Sequence, residues 1–286
     1  VASVDNFMKF AGNYVKAVTI ASDGRNEPLE TLTPPDVHDL ESFIHAVNDS
    51  GVVGQGGAGF PSAVKLMVKD LDKIEAVLKA VKEAGVKYQV GFNRRFDRNF
   101  RHVRDVVASG GIGDVQIVKV TSRDPSAPPI SYVKVSGGIF VDMTIHDFDM
   151  VRYLSGSEVE EVSTFGACLV DPEIGKAGDV DTCIISLRFK NGALGVIDNS
   201  RQAVYGYDQR VEVFGSKGMI AAENETPNNT TYYTADGVYK EKPLYFFLER
   251  YMAAYAKEVK CFIDAIVNNT DTPLGVMDGL EPVLMG

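Results

Sequence analysis

Tryptophan is absent from the 286-residue sequence, and cysteine and histidine are scarce, at three and four residues. Cys168, Cys183 and Cys261 are far apart and form no CxxC motif, which favours buried apolar side chains in a reducing compartment over a metal or redox site. No apolar run approaches the ~20 residues that a membrane-spanning helix requires. The first ten residues lack the basic start and long apolar region of a signal peptide. We therefore expect a cytoplasmic protein without a metal site.

Basic residues are also few relative to acidic ones. The 29 Lys and Arg against 39 Asp and Glu give a formal net charge of -10. Binding to nucleic acid requires a basic face, so this balance argues against a nucleic-acid partner. The hydrophobic content of 45% and charged content of 24% are typical of a soluble globular protein. Composition is compatible with a small polar substrate and says nothing more about chemistry.

The N-terminal third alternates between strand and helix patterns. Alternating apolar residues predict a strand at 13–21, and apolar residues at helical spacing predict helices at 36–51 and 70–85. The stretch 86–92 is typical of a buried strand. Together these patterns predict a small, incomplete α/β segment.

The remainder of the chain is dominated by strand patterns. A short helix that ends in glycines precedes a strand at 114–123, and a long amphipathic helix at 243–269 follows the last strand. Short turns at 190–193 and 215–218 favour antiparallel pairing. Six further stretches have strand character: 163–170, 182–189, 193–201, 210–216, 219–223 and 230–235. The fold class is therefore α+β, with an open, mostly antiparallel sheet of about six strands flanked by helices.

Such a sheet is expected to have one face covered by helices and one face free. An open apolar face is usually buried against a symmetric partner subunit. We therefore expect a homo-oligomer formed through the sheet face.

The stretch "GGIFVDMTIHDFDMVRYLSG" (137–156) contains the clearest candidate for chemistry. Asp142 and His146 are four residues apart in a predicted helix that begins near Asp142, so they project from the same side. A histidine beside a carboxylate can serve as a general acid or base near neutral pH. A core histidine bonded to a carbonyl, with Asp142 as a helix cap, explains the spacing as well.

From about residue 70 onward the sequence resembles the glucose–fructose oxidoreductase/inositol dehydrogenase (Gfo/Idh/MocA) family, in its inositol 2-dehydrogenase branch. The resemblance implies that this region forms the second domain of the family, an open antiparallel sheet that carries a polyol such as myo-inositol and builds a homotetramer. It also implies NAD as the cofactor. The matching stretches are "VGFNRRFDRNF" (90–100), "VKVTSRDPSAPP" (118–129), "SGGIFVDMTIHDFDMVRYLSG" (136–156), "NSRQAVYGYDQRVEVFGSKG" (199–218) and "KPLYFFLERYMAAYAKEV" (242–259).

The same resemblance implies roles for individual residues. His146 would take the hydroxyl proton while hydride leaves to NAD, and Asp142 would orient the histidine and hold a neighbouring hydroxyl. Arg94 in "FNRRF" and Tyr205 in "AVYGYD" fall on positions that contact sugar hydroxyls. The alternatives for these two are a surface ion pair and an aromatic residue at a strand end.

The glycine-rich loop before residue 66 fits a nicotinamide dehydrogenase poorly. Its literal GxGxxG follows a predicted helix and lacks a surrounding βαβ unit, although its glycines remain candidate cofactor-binding residues: Gly54, Gly56, Gly57 and Gly59. Residues 15–66 instead resemble the N-terminal part of RnfC, a component of the Rnf-type ion-translocating oxidoreductase. That resemblance implies a loop that helps to bind FMN and NADH. A flexible connector is the alternative.

Lys65 is a doubtful third catalytic candidate. The dehydrogenase family carries Glu-Lys-Pro at this distance before "DLDKI", with the lysine between nicotinamide and substrate, whereas this chain has Val64-Lys65-Leu66. The missing proline removes a constraint on the backbone that aims the lysine. Lys65 is equally explained as the end of the "GGAGFPSAVKL" element.

These observations divide the chain into three parts. Residues 1–66 form an RnfC-like fragment, 67–91 a remnant of a nucleotide-binding domain, and 92–286 a domain for substrate binding and oligomerisation. The main hypothesis is an NAD-dependent oxidoreductase that converts a polyol hydroxyl to a ketone, impaired in this chimeric chain because a complete Rossmann domain is missing. The alternatives are a non-catalytic polyol-binding and oligomerisation module and an FMN/NADH-binding electron-transfer fragment.

Overall fold

The computed structural model describes Ser3–Met8, Tyr14–Thr19 and residues 71–286. The chain divides into two units, Val1–Lys65 and Leu66–Gly286. In the first unit, β1 (Ser3–Met8) pairs antiparallel with β2 (Tyr14–Thr19), which confirms the strand predicted at 13–21. The helix predicted at 36–51, the glycines of the loop and Lys65 lie outside the described residues.

The described part of the second unit contains both helices and strands. Its helices are α1 (Leu71–Ala84), α2 (Arg98–Ala108), α3 (Ile130–Ser136), α4 (Ile145–Ser155), α5 (Pro172–Lys176), α6 (Phe247–Arg250), α7 (Met252–Val267) and α8 (Val276–Met285). Its strands are β3 (Val115–Arg123), β4 (Val159–Ala167), β5 (Thr182–Phe189), β6 (Leu194–Ser200), β7 (Asp208–Gly215), β8 (Gly218–Ala222), β9 (Thr231–Thr234) and β10 (Gly237–Lys240). None of the helices in the described part is long and apolar enough to span a membrane.

Six of these strands form one sheet in the order β4-β5-β6-β3-β7-β8. All neighbours in the sheet are antiparallel except β3 and β6, which run parallel with Val120 opposite Ile197. The predicted open, mostly antiparallel sheet of about six strands is therefore confirmed. The strand predicted at 230–235 is not part of this sheet, because β9 pairs with β10 in a separate hairpin.

The two faces of the sheet differ in burial, as the period of two residues in a strand requires. Val118, Ile185 and Ile197 point to the covered face and are completely buried. Ile184 and Leu194 point to the other face, where each is 54% exposed. One face of the sheet is therefore exposed in the described part of the chain, and it carries apolar side chains such as Ile184 beside the ion pair of Lys119 with Glu212.

Helix α4 covers the buried face and supplies much of the core. Phe148, Met150 and Leu154 are at most 1% exposed, and they belong to the same apolar cluster as the covered sheet face. Gly156 ends the helix with φ 65°, a left-handed conformation that glycine adopts without strain. Burial of this face fixes α4, and hence His146, relative to the sheet.

The strand predicted at 86–92 is wrong. This stretch has no strand assignment and follows α1 as an irregular segment. The amide of Val90 donates to the carbonyl of Leu274, in the loop before α8, at 3.1 Å. Apolar and polar residues alternate along the stretch, but its backbone does not form the hydrogen bonds of a sheet. Val90 instead donates to a carbonyl in a loop.

Candidate functional site

A single turn of π-helix contains Asp142 and precedes His146, the two central candidate residues. The turn spans Phe140–Thr144 and continues directly into α4, so the helical stretch begins two residues before Asp142. Gly137 and Gly138 precede it with φ 91° and 85°, in the left-handed region that other residues rarely adopt. This glycine pair turns the chain from α3 into the π turn, and single π turns of this kind often occur at functional sites.

Asp142 lies in a cluster of polar side chains at one end of the sheet. The Tyr132 hydroxyl donates to Asp142 Oδ1 at 2.5 Å, and Arg201 Nη2 lies 2.8 Å from Asp142 Oδ2. Arg201 Nη1 also donates to Asp124 Oδ2 at 3.4 Å. The side chain of Arg201 is only 4% exposed, so this guanidinium is enclosed between two carboxylates.

His146 follows one turn later, in the first turn of α4. The residue is partly exposed, whereas its Nδ1 atom is buried, so the core-histidine alternative stays open. The ring of Phe92 meets it edge to face, with the ring centroids 5.8 Å apart. Asp142 and His146 are thus both partly exposed, at the boundary between the core and the surface.

Arg94 lies beneath this site rather than at its surface. It is 5% exposed and forms an ion pair with Asp147, which is completely buried next to His146 in α4. Although burial opposes it, the carboxylate of Asp147 raises the pKa of Arg94 above its usual value, so the guanidinium stays charged. Arg94 Nη2 also donates to Ser122 Oγ at 3.2 Å. These contacts favour a supporting role, and the predicted contact with sugar hydroxyls stays a prediction.

Asn199 on β6 extends this network to the sheet. Its Nδ2 donates to Asp147 Oδ2 at 2.8 Å, and its Oδ1 accepts from Thr144 Oγ1 at 2.6 Å. Both Thr144 and Asp147 are completely buried, and they flank His146 along the chain. The network therefore fixes the turn that carries His146 to the central strand β6.

Tyr205 belongs to a different neighbourhood. Its hydroxyl donates to Asp208 Oδ2 at 2.6 Å and accepts from Arg123 Nη1 at 3.1 Å. It lines a cavity of about 350 Å³ together with Arg123, Ile184 and Asp198 on the open side of the sheet. The hydrogen bonds of the described residues do not connect Tyr205 to Asp142, and its predicted contact with substrate stays a prediction.

Three members of the Asp142 cluster were not predicted from the sequence: Asp124, Tyr132 and Arg201. Asp124 directly follows β3, and Arg201 directly follows β6. Because these two strands are parallel neighbours, with Arg123 opposite Ser200, their carboxyl ends meet at the same edge of the sheet. Recognition of that parallel pair was the signal that could have identified both residues.

The pKa of the Asp124 carboxyl group is higher than that of an ordinary aspartate. Burial, the largest effect, and the charge of Asp142 raise its pKa to about 6, although Arg201 lowers it. Asp124 therefore exchanges its proton closer to neutral pH than an ordinary aspartate does, and its protonation changes the charge of the site.

This shift makes the stability of the fold depend on pH in a defined direction. The folded state holds the Asp124 proton more tightly than the unfolded state, so stability falls as pH rises from about 4 to about 6 and is then constant. Relative to Asp124→Asn, the wild-type free energy of unfolding should fall by about 1–3 kcal/mol over this interval. Urea denaturation of both proteins across this range measures the difference. Parallel curves would contradict the raised pKa.

A dinucleotide site is not formed by the described residues. A pyrophosphate is bound where a glycine-rich turn joins a parallel strand to the N-terminus of a helix. In residues 71–286 the only parallel pair is β3 and β6, and neither strand leads through such a turn into a long helix. The described part of the chain therefore does not fit NAD. The candidate glycines and Lys65 lie outside the described residues.

Comparison with known proteins gives consistent results for most of the chain. Residues 100–221 match the family model described as the GFO/IDH/MocA C-terminal domain. The chain is 52% identical over 217 residues to a myo-inositol 2-dehydrogenase of Thermotoga maritima, covering 76% of this chain and 65% of the relative. It is 50% identical over 274 residues to an inositol 2-dehydrogenase of Rhizobium meliloti, covering 95% of this chain and 79% of the relative.

A solved structure agrees with the sequence relatives. The chain resembles the crystal structure of scyllo-inositol dehydrogenase from Lactobacillus casei with bound cofactor NAD(H) and scyllo-inositol, with a TM-score of 0.69 and 32% identity. The match covers 75% of this chain and 65% of that one. The chain thus spans just under two thirds of the length of this protein and of the Thermotoga relative.

Proposed function

Because the chain belongs to the Gfo/Idh/MocA family of oxidoreductases, we propose that it oxidises a hydroxyl group of an inositol or a similar polyol to a ketone with NAD. The relatives named above are inositol dehydrogenases, and one of them was solved with NAD(H) and scyllo-inositol. The observation on which the proposal rests is the position of a fixed carboxylate, Asp142, one helical turn before a partly exposed histidine, His146.

The roles of these residues follow from their chemistry. His146 in its neutral form accepts the proton of the reacting hydroxyl, which is the general-base step of alcohol oxidation. Asp142 is held at both carboxylate oxygens, and each oxygen has a further lone pair with which to accept a bond from a neighbouring hydroxyl of the polyol. Such a bond selects polyols that carry adjacent hydroxyl groups. The described residues alone form no cofactor site, and the candidate glycines Gly54, Gly56, Gly57 and Gly59 stay predictions.

The second candidate function is polyol binding without turnover. It follows if the first 66 residues are a foreign fragment and the chain lacks a complete Rossmann domain, which would impair catalysis. The alignment with the Rhizobium relative extends over 95% of the chain and favours the enzyme over this alternative. The resemblance of residues 15–66 to RnfC, the binding of FMN, the three-part division of the chain and the catalytic role of Lys65 all stay predictions.

Two measurements on the full chain separate these functions. Isothermal titration calorimetry should detect binding of myo-inositol but not of cyclohexanol, which has no neighbouring hydroxyls to reach Asp142. Formation of NADH from NAD and myo-inositol then identifies the enzyme. Binding without NADH formation supports the second candidate, and a chain that binds no inositol, with or without NAD present, excludes both.

We also propose that the open sheet face joins copies of the chain into a homo-oligomer. Exposed apolar residues on a sheet face are typically buried against a partner subunit, and Leu194 and Ile184 are each 54% exposed on this face. Leu194→Glu should reduce the mass measured by size-exclusion chromatography with light scattering to that of one chain, because it places a charge in a dry interface. Val267→Glu adds the same charge to the exposed end of α7, and this variant should have the same mass as the wild-type oligomer.

A wild-type protein that is monomeric at micromolar concentration would exclude this interface. So would a Leu194→Glu variant that remains an oligomer of unchanged mass.

A further inference from the structure

Arg201 has an environment that its position in the sequence does not suggest. It is the first residue after β6, and its backbone amide donates to the Asp181 carbonyl at 2.8 Å. Its side chain then turns inward and is enclosed between Asp142, at 2.8 Å, and Asp124, at 3.4 Å. A buried guanidinium is costly unless it is paired, and here two carboxylates supply the pairing.

These contacts fix the orientation of the Asp142 carboxylate. Arg201 contacts Oδ2 of Asp142, and the hydroxyl of Tyr132 contacts Oδ1, so the plane of the carboxylate is held at both oxygens. Asp124 holds the other arm of the guanidinium. A planar guanidinium can hold two carboxylates at once in a fixed arrangement, whereas a lysine ammonium acts as a point charge.

We propose that Arg201 is a positioning residue: it orients the Asp142 carboxylate toward the polyol without contacting the polyol itself. The inference rests on the proposed function, because it assigns Arg201 a part in polyol binding and oxidation. Asp124 fixes Arg201 in turn, so the arrangement Asp124–Arg201–Asp142 acts as one unit at the carboxyl ends of β3 and β6.

The principal test compares Arg201→Gln with Arg201→Lys in the full chain. Misplacement of a catalytic group by about 1 Å can lower activity about 100-fold, so we expect Arg201→Gln to lower kcat/KM for myo-inositol by about 10–100-fold. Arg201→Lys restores the charge but not the fixed plane, and should recover only part of this loss. Arg98→Gln, which removes an exposed arginine paired with Glu225, is the matched control and should leave kcat/KM unchanged.

A pH profile separates positioning from a merely structural effect. In the wild type Arg201 lowers the pKa of Asp124, so without the guanidinium this carboxyl group is protonated more readily. The pH below which kcat/KM falls should therefore move upward in Arg201→Gln and return toward the wild-type value in Arg201→Lys. The other groups that face this cluster stay the same in all three proteins: Tyr132 from α3, Arg94 from the turn Asn93–Phe96, Asp179 from the loop before β5 and His146 from α4.

The outcomes distinguish this inference from the proposed function. A wild-type chain that neither binds nor oxidises inositol overturns both. An active wild type with an Arg201→Gln variant of unchanged kcat/KM and pH profile overturns the role of Arg201 alone. Equal losses in Arg201→Gln and Arg201→Lys, with an unchanged pH profile in folded proteins, indicate a structural residue and also overturn the inference. Circular dichroism of each variant establishes that it is folded.

Discussion

Asp147→Ala should lower the free energy of unfolding by about 3–5 kcal/mol, because it leaves the charge of Arg94 buried without its partner. Asp147 is completely buried and Arg94 is 5% exposed, so water cannot replace the lost carboxylate. The change also removes the Asp147 Oδ2 acceptor of Asn199 Nδ2, which loosens the connection between α4 and β6. Urea denaturation followed by circular dichroism measures the effect.

Two further variants make this expectation specific. Asp105→Ala removes an exposed aspartate from α2 and should change the free energy of unfolding by no more than about 0.5 kcal/mol. The double variant Arg94→Ala/Asp147→Ala removes both buried charges, and its loss should be smaller than the sum of the two single losses. If the losses were additive, the two residues would not act as a buried pair.

His146→Ala should lower kcat for inositol oxidation by about 100-fold to 10,000-fold, the range usual for removal of a general base. The affinity for inositol should change much less, because Asp142 and the residues that hold it are unaltered. The rate of NADH formation under saturating inositol gives kcat, and calorimetry gives the affinity. A large loss of affinity with an unchanged kcat would assign His146 to binding instead.

His102 provides a matched control for this experiment. It is an exposed histidine on α2, and its replacement by alanine should leave both kcat and affinity unchanged. A His146→Ala variant with the kcat of the His102→Ala control would exclude a general-base role.

Much of the fold could be predicted from the sequence, because the four central strands of the sheet, β5, β6, β3 and β7, have a period of two. In β5, Cys183, Ile185, Leu187 and Phe189 are buried while the residues between them are exposed, and such alternation marks both the strand and its two faces. The period could not reveal the order of the strands, since that depends on contacts between distant parts of the chain.

The site was predicted less completely than the fold. Spacing along one helix suggested Asp142 and His146, whereas Arg201 and Asp124 join them only through tertiary structure. Arg94 and Tyr205 were proposed at sugar-contact positions, but the environment of each depends on partners far along the chain, Asp147 for the first and Arg123 for the second. No local pattern reports whether an arginine faces solvent or the core.

The parallel pairing of β3 and β6 has a consequence for the order in which the Asp142 cluster forms during folding. Asp124 and Arg201 are 77 residues apart in sequence, and everything from α3 to β5 lies between them. Contacts across such a long loop are formed slowly, because the entropy of closing the loop is lost before the contact contributes. During refolding, the helices and hairpins should therefore form first. The contact between Asp124 and Arg201, and with it the proposed polyol site, should form in the last kinetic phase.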